Sequence, residues 1–324
     1  MADLRRRTLG SSSIEVPVVG IGCNNFGGRI DEERSARVIE AALDEGVAFF
    51  DTADIYSAGR SEEIIGRTLE GRRDRAVIAT KFGGAMGSPD RRGGSRRWIT
   101  EAVEDSLRRL RTDHIDLYQH HYYDDSTPLD ETLGALHDLV GAGTVRAIGC
   151  SNYTGPQIEQ AHDIARTRGW TQYVIVQNQY SLLHRRDLED DVVPVCQRLG
   201  IGILPYFPLA HGLLTGKYRR GQEPPAGTRL AGNSQRAAAL MTDQNFEVVE
   251  ALDGFARSRG VELLDVAVGS LAAQPSVVSV IAGATTAEQV SANARAGRWV
   301  PSAEDMAEID RITTTRPHPG ASSP

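Results

Sequence analysis

The fold this sequence predicts is an α/β architecture, a single closed (β/α)8 TIM barrel, and three observations predict it. Eight short runs rich in β-branched and apolar residues recur along the chain. Between them lie longer segments with apolar residues three and four apart, the spacing of a helix that faces a core. Gly46, Gly143 and Gly200 stand where a helix should stop before the next strand, as left-handed C-terminal caps do. Regular alternation of strand and helix makes a parallel sheet, and eight such units point to closure into a barrel.

The strands are expected at residues 16–21, 47–51, 76–80, 115–119, 145–150, 173–177, 201–206 and 277–281. The helical pattern is plain at Val38, Ala41, Ala42 and Glu45, and again at Ile99, Ala102, Val103, Leu107 and Leu110. Ahead of the first strand, Leu9-Gly10-Ser11-Ser12-Ser13 separates β-prone residues, which predicts a small N-terminal β-hairpin closing the barrel floor. After the seventh strand, residues 210–245 form a connection too long for an ordinary βα loop. It is rich in Gly, Pro and Arg and is expected to cover a ligand. One domain over residues 1–316 follows, with a frayed tail at 317–324.

The rival is an open doubly wound sheet, which needs a glycine-rich turn after its first strand to cradle a pyrophosphate. That turn reads Gly22-Cys23-Asn24-Asn25-Phe26-Gly27-Gly28 and lacks Gly-x-Gly-x-x-Gly. Gly141-x-Gly143 precedes a strand when it should follow one, and the run from Gly212 to Lys217 lacks phosphate-loop spacing. Both motifs are rejected.

The chain has 324 residues, 40% of them hydrophobic and 24% charged, which is ordinary globular composition with ample material for a core. A net charge of −7 argues against a nucleic-acid partner, which needs a concentrated positive face. Cys23, Cys150 and Cys196 are odd in number and scattered, with no Cys-x-x-Cys pair, so a reducing compartment and no metal centre are expected. The first seven residues carry charge without the apolar core of a secretory signal, and nowhere do about 18 apolar residues run together. A cytoplasmic protein without a membrane partner is the expectation.

In a parallel barrel the chemistry sits at the C-terminal ends of the strands. Those ends offer Asp51, Lys81, Gln119 to His121, Ser151-Asn152, Gln177 to Gln179 and Tyr206, with Tyr56 one turn beyond Asp51. A carbonyl that accepts hydride develops negative charge on oxygen and needs a proton donor beside it. Tyr56 is the donor expected here, with Lys81 lowering the phenol's pKa, Asp51 holding Lys81, and a histidine orienting the carbonyl. Each residue alone has a duller reading, a salt bridge or a loop aromatic. Together at one barrel mouth they outweigh it.

At these residues the chain resembles the aldo-keto reductase superfamily. The run from Gly46 through Asp51-Thr-Ala-Asp-Ile-Tyr56 to Ser61-Glu-Glu-Ile-Ile-Gly66 resembles its aspartate-tyrosine motif, Thr80-Lys81-Phe82 its lysine motif, and Asp116-Leu-Tyr-Gln-His-His121 its histidine motif. The match gives the catalytic place to His121, while His120 fills a position usually aliphatic. The resemblance implies that Ser151, Asn152 and Gln177 bind a nicotinamide carboxamide and that Tyr206 stacks on the ring. Phe207 departs from the pattern, which has serine there. Pro208, Leu209, Gly212, Lys217 and Arg229 resemble the residues around the phosphates, and Gly283, Thr285, Gln289 and Asn293 the adenosine end. Many relatives carry an arginine at Gln289 to grip a 2′-phosphate. The pattern is nearer to the potassium-channel β subunits and their bacterial relatives, also at Ser95-Arg96-Arg97, which bind NADPH without that arginine.

NADPH is therefore the expected cofactor, with NADH as the alternative, and a small-molecule carbonyl the expected substrate. Asn25, Phe26, Phe82 and Tyr122, with Trp98 and Phe207, are the candidates for its pocket. Two rivals come from other classes. A cofactor-sensing regulatory subunit would keep the site but turn over slowly. A metal-dependent barrel hydrolase would need several His or Asp ligands, where the strand ends offer only His121 and Asp51.

Overall fold

A computed structural model describes residues 4–314, so the tail expected at 317–324 lies outside the described residues. The chain opens with an antiparallel hairpin, β1 (Arg6–Thr8) and β2 (Glu15–Pro17), in which Arg7 faces Val16. The barrel strands follow, each leading into a helix. They begin with β3 (Val19–Gly22) and α1 (Glu32–Asp44), β4 (Phe49–Asp51) and α2 (Arg60–Thr68), β5 (Val77–Phe82) and α3 (Arg96–Leu110), and β6 (Ile115–His120) and α4 (Leu129–Gly141). Then come β7 (Val145–Ser151) and α5 (Gly155–Arg168), β8 (Ile175–Gln177) and α6 (Val193–Leu199), and β9 (Gly202–Ile203). After β9 a long strap, which opens with a short 3-10 segment (Ala210–Thr215), runs to α7 (Ser234–Leu240), followed by α8 (Asp243–Ser258) and α9 (Leu263–Ala273). The last elements are β10 (Val280–Gly283), α10 (Ala287–Arg298) and α11 (Ala303–Thr314).

The eight strands pair in parallel in the order β10-β3-β4-β5-β6-β7-β8-β9. The ring closes where Ile203 bridges Val277, with Val278 N–H donating to the Ile203 carbonyl at 2.9 Å. The segment expected as one eighth strand thus serves two neighbours in turn. Its first residues bond β9 and its last pair with β3. The expected seventh strand, 201–206, shrinks to two residues, and Pro205, which has no N–H, cannot extend the ladder. The expected first strand, 16–21, divides at Pro17 between hairpin and barrel.

Inside the barrel, one cluster joins Phe49, Ala79, Leu117, Ala147, Ile175 and Leu204 with Leu9, Ile14 and Val16 of the hairpin region. The hairpin therefore plugs the floor, as expected. Gly46, Gly143 and Gly200 have φ of 74°, 76° and 68°, the left-handed caps read from the sequence. Cys23, Cys150 and Cys196 are buried free thiols. Among the described residues, no helix is long and apolar enough to cross a membrane.

Candidate active site

Alternation along the strands lifts the site out of the core. Side chains two residues apart share a face, so the inward apolar layer Phe49, Ala79, Leu117 and Ile175 is followed one step higher by Asp51, Lys81, Gln119 and Gln177. The register sets Lys81 beside Gln119 and Ser151 beside Gln177. Gly149 clears room for Gln119. A Cβ there would stand 2.8 Å from the Ile175 carbonyl oxygen and 3.4 Å from Gln119 Cγ.

These polar groups form one knot. Lys81 Nζ donates to Asp51 Oδ2 at 2.7 Å and to the Thr52 carbonyl at 2.8 Å. Asp51 Oδ1 accepts from Gln177 Nε2 at 2.9 Å and from Gln119 Nε2 at 3.3 Å. Lys81 is wholly buried and Asp51 2% exposed, so the pair is held in a low dielectric by excellent geometry. Burial opposes the charge on Lys81, but Asp51 and Tyr56 overcome it and leave the ammonium above its ordinary range.

Tyr56 begins a tight turn after β4, whose next residues Ser57 and Ala58 adopt left-handed φ of 51° and 56°. Ser57 Oγ donates to the Phe26 carbonyl at 2.8 Å and ties this turn to the loop after β3. Lys81 Nζ sits 5.2 Å from the centre of the Tyr56 ring, and that ring lies 6.0 Å from the ring of His121. The sequence leads one to expect a lowered phenol pKa, and the structure corrects this. Burial raises it, and Lys81 offsets only part of the rise. Tyr56 is therefore a protonated donor at neutral pH. His121 is pushed down to about 2 by burial, with Lys81 and His120 adding to the effect, so its imidazole is neutral. His120, by contrast, leaves the site. It stacks on Phe82 at 4.9 Å and shares a 2.8 Å hydrogen bond with the Tyr153 hydroxyl.

Asp51, Tyr56 and His121 line a cavity of about 1730 Å³ above the barrel, with Lys81 just beneath. On one wall Ser151 Oγ donates to the Gln177 carbonyl at 2.7 Å, Asn152 Nδ2 to the His121 carbonyl at 3.0 Å, and the Tyr206 hydroxyl to Asn152 Oδ1 at 2.7 Å. Phe207, at a left-handed φ of 51°, sets its ring 5.1 Å from Tyr206 and 4.1 Å from His211, with Arg229 5.1 Å over its face. Pro208, Leu209, Gly212 and Lys217 continue the wall. At the far end Gly283, Thr285, Gln289 and Asn293 line the cavity. Thr286 caps α10 there, and Gln289 Oε1 accepts from Thr285 N at 2.8 Å.

The substrate candidates divide. Asn25 and Tyr122 line the cavity, Tyr122 stacked on His121 at 4.4 Å. Phe26 and Phe82 do not: both are fully buried in the layer between barrel and helices, as is Trp98 at 1% exposure. Phe82 follows the inward Lys81, so alternation turns it outward. Gln119, Arg29, His211 and Arg236 also belong to the site's surroundings and were given no role from the sequence. Gln119 carried a signal, its place two residues beyond inward Leu117. The other three lie in loops or on a short helix, where no periodicity fixes direction.

What the cavity could hold is set by unmet demands. Lys217 and Arg229 are both depressed, first by burial and then by neighbouring cations, Arg29 and Arg229 for the lysine and Arg29 and Arg236 for the arginine. Asn293 Nδ2 is buried with no partner among the described residues. An elongated ligand with a polyanionic middle answers both. Among the described residues no group of His, Cys, Asp and Glu is arranged to hold a metal ion.

Comparison with known proteins agrees with this geometry. Residues 18–314 match the model of the Aldo/keto reductase family. The chain is 33% identical to a probable voltage-gated potassium channel subunit beta of Oryza sativa subsp. japonica, over 97% of this chain and 98% of that one. It is 30% identical to the L-glyceraldehyde 3-phosphate reductase of Escherichia coli (strain K12), over 95% of this chain and 92% of that one. Among solved structures, the holo form of an aldo-keto reductase from Bacillus halodurans superposes with a TM-score of 0.80 at 30% identity, covering 97% of this chain and 98% of its own. Barrel, polar knot and relatives converge, and the chain belongs to the aldo/keto reductase family of oxidoreductases.

Proposed function

We propose that this protein reduces an aldehyde or ketone to an alcohol, with a nicotinamide dinucleotide as the electron donor and Tyr56 as the general acid. The observation that carries the reading is the Lys81 ammonium, bonded to Asp51 Oδ2 at 2.7 Å and 5.2 Å from the centre of the Tyr56 ring, beside neutral His121 on the cavity wall. The bound cofactor supplies a hydride to the carbonyl carbon. The remaining work falls to the chain. His121, neutral, donates a hydrogen bond that orients the carbonyl oxygen, and Tyr56 gives that oxygen a proton as negative charge develops on it. Lys81 then stabilises the phenolate left behind, and Asp51 holds Lys81 in place with Gln119 and Gln177 bracing its second oxygen.

Ser151, Asn152 and Gln177 are assigned to the carboxamide, Tyr206 to the ring, and Pro208, Leu209, Gly212, Lys217 and Arg229 to the phosphates. Gly283, Thr285, Gln289 and Asn293 are assigned to the adenosine. NADPH is the favoured form. Lys217 and Arg229 stand with Arg29 and Arg236, four cations that together exceed the charge a diphosphate alone would balance. NADH is the alternative. Asn25 and Tyr122 are assigned to the substrate.

The test follows nicotinamide absorbance over a panel of aldehydes, ketones and short phosphorylated aldehydes, with NADPH and NADH in parallel. The name of the Escherichia coli relative motivates the phosphorylated members. Turnover that survives intact in Tyr56→Phe would overturn the assignment. A second reading, a cofactor-sensing regulatory subunit, is favoured by the likeness to the rice channel subunit. Tight cofactor binding with no reduction across the panel would establish it in place of the first.

A further inference from the structure

The chemistry proposed above uses His121 and leaves its neighbour His120 idle. Yet the fold makes room for this second imidazole. A Cβ at Gly83 would stand 2.9 Å from its Cδ2, and one at Gly94 3.1 Å from its Cε1. Its Nε2 is buried with no partner among the described residues, a cost that an apolar side chain would not carry. What the ring does make is a 2.8 Å hydrogen bond between Nδ1 and the hydroxyl of Tyr153, both side chains being buried. Tyr153 follows Asn152, whose φ of 60° is left-handed and costs energy to hold. Asn152 N–H donates to the Gln177 carbonyl at 3.1 Å and to Asn178 Oδ1 at 2.8 Å, and Asn178 Nδ2 donates to the Tyr153 carbonyl at 2.9 Å. The end of β6 therefore meets the turn after β7 twice on consecutive residues, through the His121 carbonyl and Asn152 Nδ2 at 3.0 Å, and through His120 and Tyr153. Two attachments remove the pivot that one alone would leave.

We propose that His120 is a positioning residue: through Tyr153 it locks the left-handed turn at Asn152 and so fixes the spacing between the carboxamide assigned to Asn152 and the carbonyl assigned to His121. Hydride transfer is steep in that spacing, and a misplacement of about 1 Å can cost on the order of a hundredfold. His120 touches neither reactant and acts only through the turn. This inference rests on the nicotinamide-cofactor reading and adds to it a residue behind the cavity wall that sets how the two reactants meet.

The experiment compares the full chain with His120→Leu, Tyr153→Phe and the double variant. Turnover with NADPH and the fastest carbonyl of the panel should fall about tenfold in each single variant, while NADPH affinity stays near that of the wild type. The two losses should not add, because they remove one and the same bond. Each single variant strands a buried polar partner and should melt lower. The double variant strands neither and should melt near the wild type, yet remain slow. His120→Asn, which keeps a polar atom where Nδ1 stood, should restore most of the turnover. In the ligand-free protein, amide exchange at Asn152 should quicken about tenfold in His120→Leu, the worth of one buried hydrogen bond. Unimpaired turnover in His120→Leu, or turnover that returns with the melting temperature in the double variant, would overturn the proposal and make His120 a packing residue. So would unchanged exchange at Asn152, or a His120→Asn enzyme as slow as His120→Leu. Wild-type protein that reduces no carbonyl with NADPH or NADH, while exchange at Asn152 still quickens in His120→Leu, would overturn the cofactor reading and leave the brace on Asn152 standing.

Discussion

The knot at the strand ends and the strap above it treat charge in opposite ways. In the knot the charged pair is answered before any ligand arrives: Asp51 accepts from Lys81, Gln119 and Gln177, and Lys81 donates to Asp51 and to the Thr52 carbonyl. In the strap, Lys217 and Arg229 stand close to Arg29 and Arg236, like charges that work against one another. The first arrangement is preorganised for chemistry, so no reorganisation is left for the moment of reaction. The second is left incomplete, and the ligand completes it. Catalytic power and ligand affinity should therefore respond to different perturbations.

The largest separation should come from Tyr56→Phe. Steady-state turnover is expected to fall about 10²- to 10⁴-fold, the usual worth of a positioned acid, with cofactor affinity unchanged. Next comes Asp51→Asn, which leaves the Lys81 ammonium buried without its counter-charge. A loss of about 3–5 kcal/mol in urea unfolding is expected, and a loss under 1 kcal/mol would mean the knot is not the rigid unit described. Salt should then divide the two regions without any mutation. Raising ionic strength weakens cofactor binding through the exposed strap cations, while turnover at saturating cofactor holds, because the buried pair is screened little.

The smallest effect is expected at Asp54, buried behind the site with neither carboxyl oxygen partnered among the described residues. Burial and then Glu62 raise its carboxyl to about 8. A folded-state value raised above the unfolded one means that the native state holds the proton longer. The associated stability is present at low pH and lost as pH climbs through about 8. Asp54→Asn should accordingly gain on the wild type as pH goes from 6 to 9, and a difference that stays constant across urea melts in that range would refute the assignment.

Much of this was legible in the residue order because barrels repeat one rule. Each barrel strand lies within or against its expected run, and the four residues proposed for catalysis could be singled out because strand ends concentrate polar residues where a core would exclude them. The boundaries blurred where tertiary pairing decides them. Val277 and Val278 read as one strand with Val280, yet they bond a different neighbour, and no local pattern announces that change of partner. Phe26 and Phe82 were placed in the pocket because aromatic character says nothing about direction, although the inward Lys81 already implied an outward Phe82. The phenol's pKa was misjudged for a related reason. A lysine nearby is visible in the sequence, and the depth at which both are buried is not.

Closure of the ring through β9 has a mechanical consequence. This strand is only Gly202–Ile203 long, so the wall has its thinnest seam between the segments that lead to Tyr206 on one side and Gly283 on the other. A dinucleotide assigned to both segments would suture that seam from above. Hydrogen exchange at Val278 and Ile281, whose amides donate to Ile203 and Pro205 across it, then becomes a gauge of occupancy read from within the barrel wall.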